Sequence, residues 1–443
     1  MTTVVIGLGR ETRAWLAAHA PADVVVLDEG AGGEVMVGGR TLTAHRVDLD
    51  DPAAVRAAVG SAVSRVVRSP GVAPHRAGVA ALDAPTATPT GLWLAETAPD
   101  DLVLVTGTKG KSTVAALTAH LLRAAGRRAT LAGNIGTALT TVDATAPRDD
   151  LVVELSSYQL VDLELPRPAA AAAITTLLVD HVPWHGDVDS YHAAKLRLVD
   201  LAAWTVVGPQ VAATGATAGR HAAVAAAPTP AVRTARAAAG MHAEHEAGAA
   251  MLAFALVARR LGRDPAVVAD ELSPALATFA PLPHRLRPVA VAGGVTWVDD
   301  SIATIPEAAL GALATWRPRG PVTLLLGGED RGQDLAGLLA ALRDTGVRAA
   351  LLGALGDRLA AALAAAGVAV DGDRIARTGD LAAAVAWAAG VTPAGGAVLL
   401  SPAAPSFGAF RDFVHRAETF RDLVLALPGA TPDAPTGPTE EPR

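Results

Sequence analysis

Cysteine is absent from the 443 residues, which excludes disulfides, thiolate metal sites and thiol catalysis. Aromatic residues make up only 3% of the chain, so small aliphatic side chains must carry the packing. No Lys/Arg-rich run occurs and the formal net charge is −7, which argues against a nucleic-acid or anionic-membrane partner. The opening "MTTVVIGLG" enters a strand-like run at once. It has no charged leader and no long apolar core, so no signal peptide is read and a cytoplasmic location is expected. Leu381 to Phe410 carries no charge, but "TPAGG" and "SPAAPS" break it into pieces the size of strands and loops. Lysine is nearly missing too. Against a Lys+Arg total of 37, only Lys109, Lys111 and Lys195 are lysine. Asn134 is the single asparagine, and Tyr158 and Tyr191 are the two tyrosines. Where a generic positive charge sufficed, the chain used arginine; the few lysines mark places where a compact primary amine is needed. All six of these scarce residues fall between positions 109 and 195.

What is present is 51% hydrophobic and 18% charged, enough to bury the cores of two to four domains. In the first segment, to about residue 97, "VVIGLG" and "VVVLDE" read as strand, turn, helix, strand. Gly7 and Gly9 form a G-x-G, but Thr12 stands at the third glycine position, and Asp28 ends the second strand where a ribose-binding acid would sit. "RSPGV" (Arg68 to Val72) is a further turn. In the second segment the continuous apolar run "LVLVTG" suits a buried parallel strand, and Val114, Leu117 and Leu121 then recur at helical spacing. The third segment, from near Arg285, repeats the pattern with "VTWVDDS", "VTLLLGG", "AALLGAL" and "GAVLLSP". The Pro-rich end, "PGATPDAPTGPTEEPR", reads as disordered.

The stretch "VTGTKGKST" resembles a phosphate loop whose first glycine is replaced by Val105. Gly107 and Gly110 let backbone N–H groups converge on phosphate oxygens, Lys111 would neutralise their charge, and Ser112 could ligate Mg²⁺. In "VVELSSYQL", Glu154 ends a strand, where a carboxylate can hold Mg²⁺. His181, His185 and His192 cluster within twelve residues without matching a zinc spacing, and Lys195 lies in a helix 14 residues after His181. "PHRL", "DDSIAT", "GGEDRG" and "SPAAPSFGAFRDF" sit at strand ends or turns and together suggest a shared site.

Taken in order, "TGTKGKST", "GNIGTAL", "ELSSYQL", "DH…YHAAKLRL", "PHR", "DDSIAT" and "LSPAAPSFGAFRDF" resemble the Mur ligases of peptidoglycan synthesis. The likeness is greatest to the MurD-type members, which add glutamate to UDP-N-acetylmuramoyl-L-alanine (UDP-MurNAc-L-Ala). The resemblance implies an α/β fold of three domains: a Rossmann-like domain for the UDP-sugar (1–97), a central P-loop ATPase-like parallel sheet for ATP (98–283) and a Rossmann-like domain for glutamate (284–428), before a disordered tail (429–443). It implies that Gly107, Thr108, Lys109, Gly110, Lys111, Ser112, Thr113, Arg285 and Asp300 hold ATP. Asp28, Ser69, Gly71, Asn134 and Ser156 would hold the UDP-sugar, and Thr304, Arg331, Ser406 and Phe413 the incoming glutamate. Lys111, Glu154, His181 and Lys195 would be catalytic. Two Mg²⁺ ions would be served by Ser112, Glu154, His181 and Lys195, the last as an N-carbamate. A monomer acting on small molecules, with no nucleic acid or membrane partner, is implied. Departures stand out. Ala243 and Glu246 replace two asparagines usual in the family, Pro183-Trp184 follows Val182 where an aspartate is usual, and Ile302 and Arg331 stand where lysines are common. "GTKGKST" and "DSIAT-x-P" look more like the variant that adds L-glutamate. A D-glutamate ligase, a folylpolyglutamate-synthase-like ligase and a non-catalytic nucleotide-binding scaffold are the alternatives.

Overall fold

The computed structural model describes residues 2–19, 21–135, 137–218, 222–238, 244–279, 283–406 and 408–432, with side chains at all of these except 236–238 and 244–246. Ala243 and the Glu246 side chain, two of the departures noted above, lie outside the described residues. The chain divides into two compact units, Met1–Phe279 and Ala280–Arg443.

The first unit holds two sheets. Strands β1 (Thr2–Ile6), β2 (Val24–Asp28), β3 (Gly33–Val37), β4 (Arg40–Arg46), β5 (Val63–Arg68) and β6 (Thr86–Ala87) form one, in the order β3-β4-β2-β1-β5-β6. Only the β3–β4 pair is antiparallel. Alternation along β1 sends Val4 and Ile6 into one core layer and Val5 into another, where it meets Trp15 and Leu16 of the helix Arg10–His19. The second sheet contains β7 (Leu102–Thr106), β8 (Ala129–Gly133), β9 (Asp150–Glu154), β10 (Ala171–Ile174), β11 (Thr205–Val207) and β12 (Ala222–Val224). It is parallel throughout, in the order β12-β11-β10-β7-β9-β8. All five residues of β7 and of β9 are buried, as expected when both sheet faces are covered, although β9 carries Asp150 and Glu154 at its ends. Val114, Leu117 and Leu121 are fully buried on the helix Lys111–Ala124, confirming the helical spacing read from the sequence.

The second unit is one seven-stranded sheet of β13 (Arg287–Ala292), β14 (Val295–Asp299), β15 (Val322–Gly327), β16 (Arg348–Leu352), β17 (Ile375–Arg377), β18 (Ala397–Leu400) and β19 (Thr431–Pro432). The order is β17-β16-β15-β18-β14-β13-β19, parallel except where β13 meets β14 and β19. Thr431–Pro432 thus adds to a sheet edge, while 433–443, most of the tail expected to be disordered, lie outside the described residues. The uncharged stretch after Leu381 resolves into the helix Leu381–Val391 and β18. Among the described residues no helix is long and apolar enough to cross a membrane. The molecule is an α/β protein of three parallel-rich sheets, and the chain order within each brings separate loops together at the strands' carboxyl ends.

Candidate active site

The loop after β7 is shaped by two glycines. Gly107 has φ +145° and Gly110 φ +84°, the latter capping the helix Lys111–Ala124 in the left-handed region. The loop is tied to the end of β10: Thr108 N donates to Thr176 O at 2.7 Å, Lys109 N to Thr176 Oγ1 at 2.9 Å, and Thr175 Oγ1 to Lys109 O. That leaves the helix's first turn, carrying Lys111, Ser112 and Thr113, with N–H groups that have no intrahelical acceptor and a positive dipole end. Lys111 Nζ reaches Thr108 O at 3.1 Å, and Lys109 Nζ lies 3.5 Å from Asp180 Oδ2.

Beside the loop lies a cavity of about 380 Å³. Lys111, Asn134, Ser156, His181, Lys195 and Gly71, all singled out in the sequence, line it. So do both tyrosines, which means that five of the six scarce residues share one wall system; the sixth, Lys109, is on the adjacent loop. Asn134 follows β8, and its Nδ2 donates to Glu154 Oε1 at 3.1 Å. Glu154 is 1% exposed, and its Oε2 is buried without a hydrogen-bond partner. Ser156 opens the short helix Ser157–Leu160 through a capping box with Gln159. His181 sits at φ +54°, its Nδ1 sharing a 2.7 Å hydrogen bond with Tyr158 Oη.

Lys195, on the helix Val188–Leu196, is 1% exposed. One turn earlier on the same face is Tyr191, whose ring centroid is 4.8 Å from Nζ. Burial, and then the positive charge of Lys111, push the Lys195 amine well below the usual lysine range. Burial also lowers His181, and burial with neighbouring His181 and Lys195 lowers His185 to about 4. The cavity therefore holds an imidazole, His181, biased toward its neutral form and an amine biased toward its unprotonated, nucleophilic form. Among the described residues no three His, Asp or Glu side chains gather into a metal-binding group. The donors present still suit Mg²⁺, which takes one or two carboxylates and completes its shell with water and phosphate oxygens. The orphaned Glu154 Oε2 is a donor of that kind.

Two expected sugar contacts are placed differently. Asp28 commits its carboxylate to backbone, accepting from Leu8 N at 2.7 Å, Gly30 N at 2.8 Å and Ala31 N at 2.7 Å. Those bonds outweigh its desolvation and hold it below the usual carboxylate range. Ser69 is buried under the β1 turn, with Gly7 and Gly9 packed on its side chain. Neither lines the cavity.

In the second unit, the residues picked from the sequence gather at the carboxyl ends of the neighbouring strands β15, β18 and β14. Asp300 is 5% exposed, accepts from Ser401 Oγ at 2.6 Å and Leu286 N at 3.2 Å, and is pushed up to about 7 by burial. Arg285, adjacent to His284, keeps a buried Nε with no hydrogen-bond partner. His284 Nδ1 bonds Asp299 Oδ2 at 2.7 Å, and its ring packs edge-on against Phe413. Ser406 is buried, Thr304 is partly buried, and exposed Arg331 pairs with Glu329 at 2.7 Å. Arg416 was not foreseen. It is 3% exposed and grips Ser301 Oγ, Ser301 O and Ala404 O at 3.0, 2.8 and 3.1 Å, joining the loops that carry Thr304 and Ser406.

Two domain patterns match this chain: the Mur ligase middle domain over residues 105–207, and the Mur ligase glutamate ligase domain over 284–404. A UDP-N-acetylmuramoyl-L-alanine–L-glutamate ligase of a Micromonospora species is 38% identical, covering 97% of each chain. Its namesake from Xanthomonas euvesicatoria is 38% identical over 87% of this chain and 88% of its own. The chain belongs to the Mur ligase family. The fold agrees: UDP-N-acetylmuramate-alanine ligase from Thermotoga maritima superposes with a TM-score of 0.54 at 15% identity, covering 95% of this chain and 98% of its own.

The middle-domain match of this Mur ligase spans the phosphate loop, Asn134, Glu154, His181 and Lys195, and the glutamate-ligase match spans Arg285, Asp300, Thr304 and Arg331. In the first unit, three groups lay beyond motif reading. Glu11 lines the cavity and is partly buried, accepting from Thr90 N at 2.8 Å and Gln159 Nε2 at 3.3 Å; burial raises it above the usual carboxylate range. Arg68 is fully buried and pairs with Asp162 at 2.5 Å. Tyr158 and Tyr191 carried one signal, their rarity, which pointed to the region without naming a role.

Proposed function

We propose that this protein joins L-glutamate to UDP-MurNAc-L-Ala, at the expense of ATP, in the cytoplasmic synthesis of peptidoglycan precursors. A carboxylate and an amine do not condense in water without activation. The L-alanyl carboxylate takes the γ-phosphoryl group of ATP to give an acyl phosphate and ADP, the glutamate amine attacks the acyl carbon and loses a proton, and phosphate leaves from a tetrahedral intermediate. The observation that carries this reading is the convergence, around one cavity, of a phosphate-loop lysine, a deprotonation-prone lysine and an asparagine bonded to a buried carboxylate whose second oxygen is unpartnered.

The roles follow from that arrangement. Gly107 to Thr113 cradle the triphosphate, and Lys111 neutralises the charge that builds on the transferring phosphoryl group. Asn134, Ser156 and Gly71 meet the UDP-sugar, joined by Asp28 and Ser69 through the turns they organise. Arg285 and Asp300 serve ATP; Thr304, Arg331, Ser406 and Phe413 serve glutamate. Ser112, Glu154, His181 and a carbamylated Lys195 are the groups that would hold Mg²⁺ at two sites. The bound ions would supply electrostatic stabilisation to the multiply charged reacting oxygens. A neutral amine is what carbamylation requires, and burial provides it at Lys195. The L isomer rests on the names of the relatives and on Ile302 and Arg331, where lysines would otherwise line the amino-acid pocket. The test is phosphate release measured with each component omitted in turn, using L- and D-glutamate separately. Release only with ATP, Mg²⁺, the UDP-sugar and L-glutamate all present is the expected result. Release with D-glutamate alone overturns the isomer. Tight ATP binding without release under any combination overturns the enzyme in favour of a nucleotide-binding scaffold.

A further inference from the structure

We infer that Tyr158 is a positioning residue for His181: its hydroxyl captures Nδ1 of the imidazole, so that Nε2 is the nitrogen left to meet a divalent cation. The inference rests on the reading above that His181 helps to hold metal. An imidazole turns about its outer torsion over a broad, shallow well, so the backbone alone does not choose which ring nitrogen faces a ligand. Something must hold one of them. Here Nδ1 lies 2.7 Å from Tyr158 Oη, and Nε2 points toward the Asp180 carboxylate, 3.7 Å away. A hydroxyl both donates and accepts, so the bond survives either tautomer. With a cation on Nε2 the ring proton sits on Nδ1 and the bond runs from Nδ1–H to Oη.

Tyr158 is itself braced, as a positioning group must be. Its ring stacks on Trp184 with centroids 4.4 Å apart and planes at 26°. The Trp184 indole N–H donates to Gly71 O at 3.0 Å, and the Arg68 guanidinium sits 5.5 Å from the Trp184 ring. Arg68 also donates to the Tyr158 carbonyl at 3.3 Å. Trp184 stands beside Pro183, the position where this chain departs from the family's usual aspartate. The brace links the turn after β5 to the histidine.

Tyr158→Phe removes one oxygen and keeps the stacked ring, so it isolates the hydrogen bond. His181→Ala comes first. Mn²⁺ binding, followed by electron paramagnetic resonance with a non-hydrolysable ATP analogue present, should weaken in that variant; if it does not, the metal role of His181 itself is wrong. Tyr158→Phe should then weaken Mn²⁺ by about tenfold, the low end for a lost partner of a metal-binding histidine, at an unchanged melting temperature. In the metal-free wild type, the His181 ring nitrogens, assigned with His181→Ala, should show a hydrogen-bonded Nδ1 in the ¹⁵N spectrum that disappears in Tyr158→Phe. Wild-type Mn²⁺ affinity in Tyr158→Phe, alongside a weakened His181→Ala, overturns the inference. So does a wild-type spectrum in which Nδ1 is not hydrogen-bonded.

Discussion

Gly107→Ala is the sharpest probe of the phosphate loop, because the structure says what the added methyl group meets. At φ +145° an L side chain is strained wherever it points. The methyl would overlap Thr175 Oγ1 and stand 2.9 Å from Thr176 N and 3.0 Å from Thr175 N. Two of those contacts are backbone atoms at the end of a buried strand, so the loop must give way rather than the strand. Residues forced into such regions cost on the order of 1–3 kcal/mol. The displaced loop would also loosen three bonds to Thr175 and Thr176, each worth about 1 kcal/mol net. With part of both terms felt at the nucleotide, the loss is about 3–4 kcal/mol, or roughly 100- to 1,000-fold in affinity at about 1.4 kcal/mol per decade. Gly126→Ala is the control. It also has a positive φ, +83°, but nothing lies within 4 Å of its added methyl, and it follows the far end of the same helix. It should lower stability by about 1 kcal/mol and leave nucleotide binding untouched. The assay is titration of a fluorescent ATP analogue with Mg²⁺. Binding by Gly107→Ala within about threefold of wild type would refute the loop's role as a triphosphate cradle.

Other perturbations bear on separate parts of the argument. Lys195→Arg should abolish phosphate release, with added bicarbonate unable to restore it, because a guanidinium forms no carbamate; near-normal turnover would defeat that role. Asp162→Ala leaves the fully buried Arg68 without its counter-ion and should cost about 3 kcal/mol in urea unfolding, the low end for a broken buried pair because backbone carbonyls still solvate the cation; a loss below about 1 kcal/mol would contradict the pairing. Asp300, raised to about 7, binds its proton more tightly folded than unfolded, so the stability of the wild type should fall as pH rises from about 4 to about 7 and level off above that. Asp300→Asn should flatten that slope, read from unfolding midpoints across the range.

The fold was legible because its signals are local. An unbroken run such as "LVLVT" reads as a covered parallel strand wherever it occurs, and the 3.6-residue spacing of Val114, Leu117 and Leu121 needs no tertiary information. The phosphate loop was legible for the same reason, since strand, glycines and helix are consecutive. The contacts on the far side of the cavity were not. Glu11 meets Thr90 across 79 positions, and Arg68 meets Asp162 across 94, so no window on the sequence contains both partners. Asp28 shows a position with two local readings. An acid at the end of the second strand reads as a ribose ligand, yet the same residue two and three positions before Gly30 and Ala31 is also a turn-former, and here its two oxygens are taken by three backbone N–H groups. Composition supplied what motif reading could not. A chain that writes arginine almost everywhere and keeps lysine at 109, 111 and 195 discloses where an amine is needed, and the cavity that gathers Lys111, Lys195, Asn134, Tyr158 and Tyr191 supplies the chemical reason. A buried amine can lose its proton and a guanidinium cannot. That difference is what the carbamate proposed at Lys195 rests on, since burial holds this amine well below the usual lysine range.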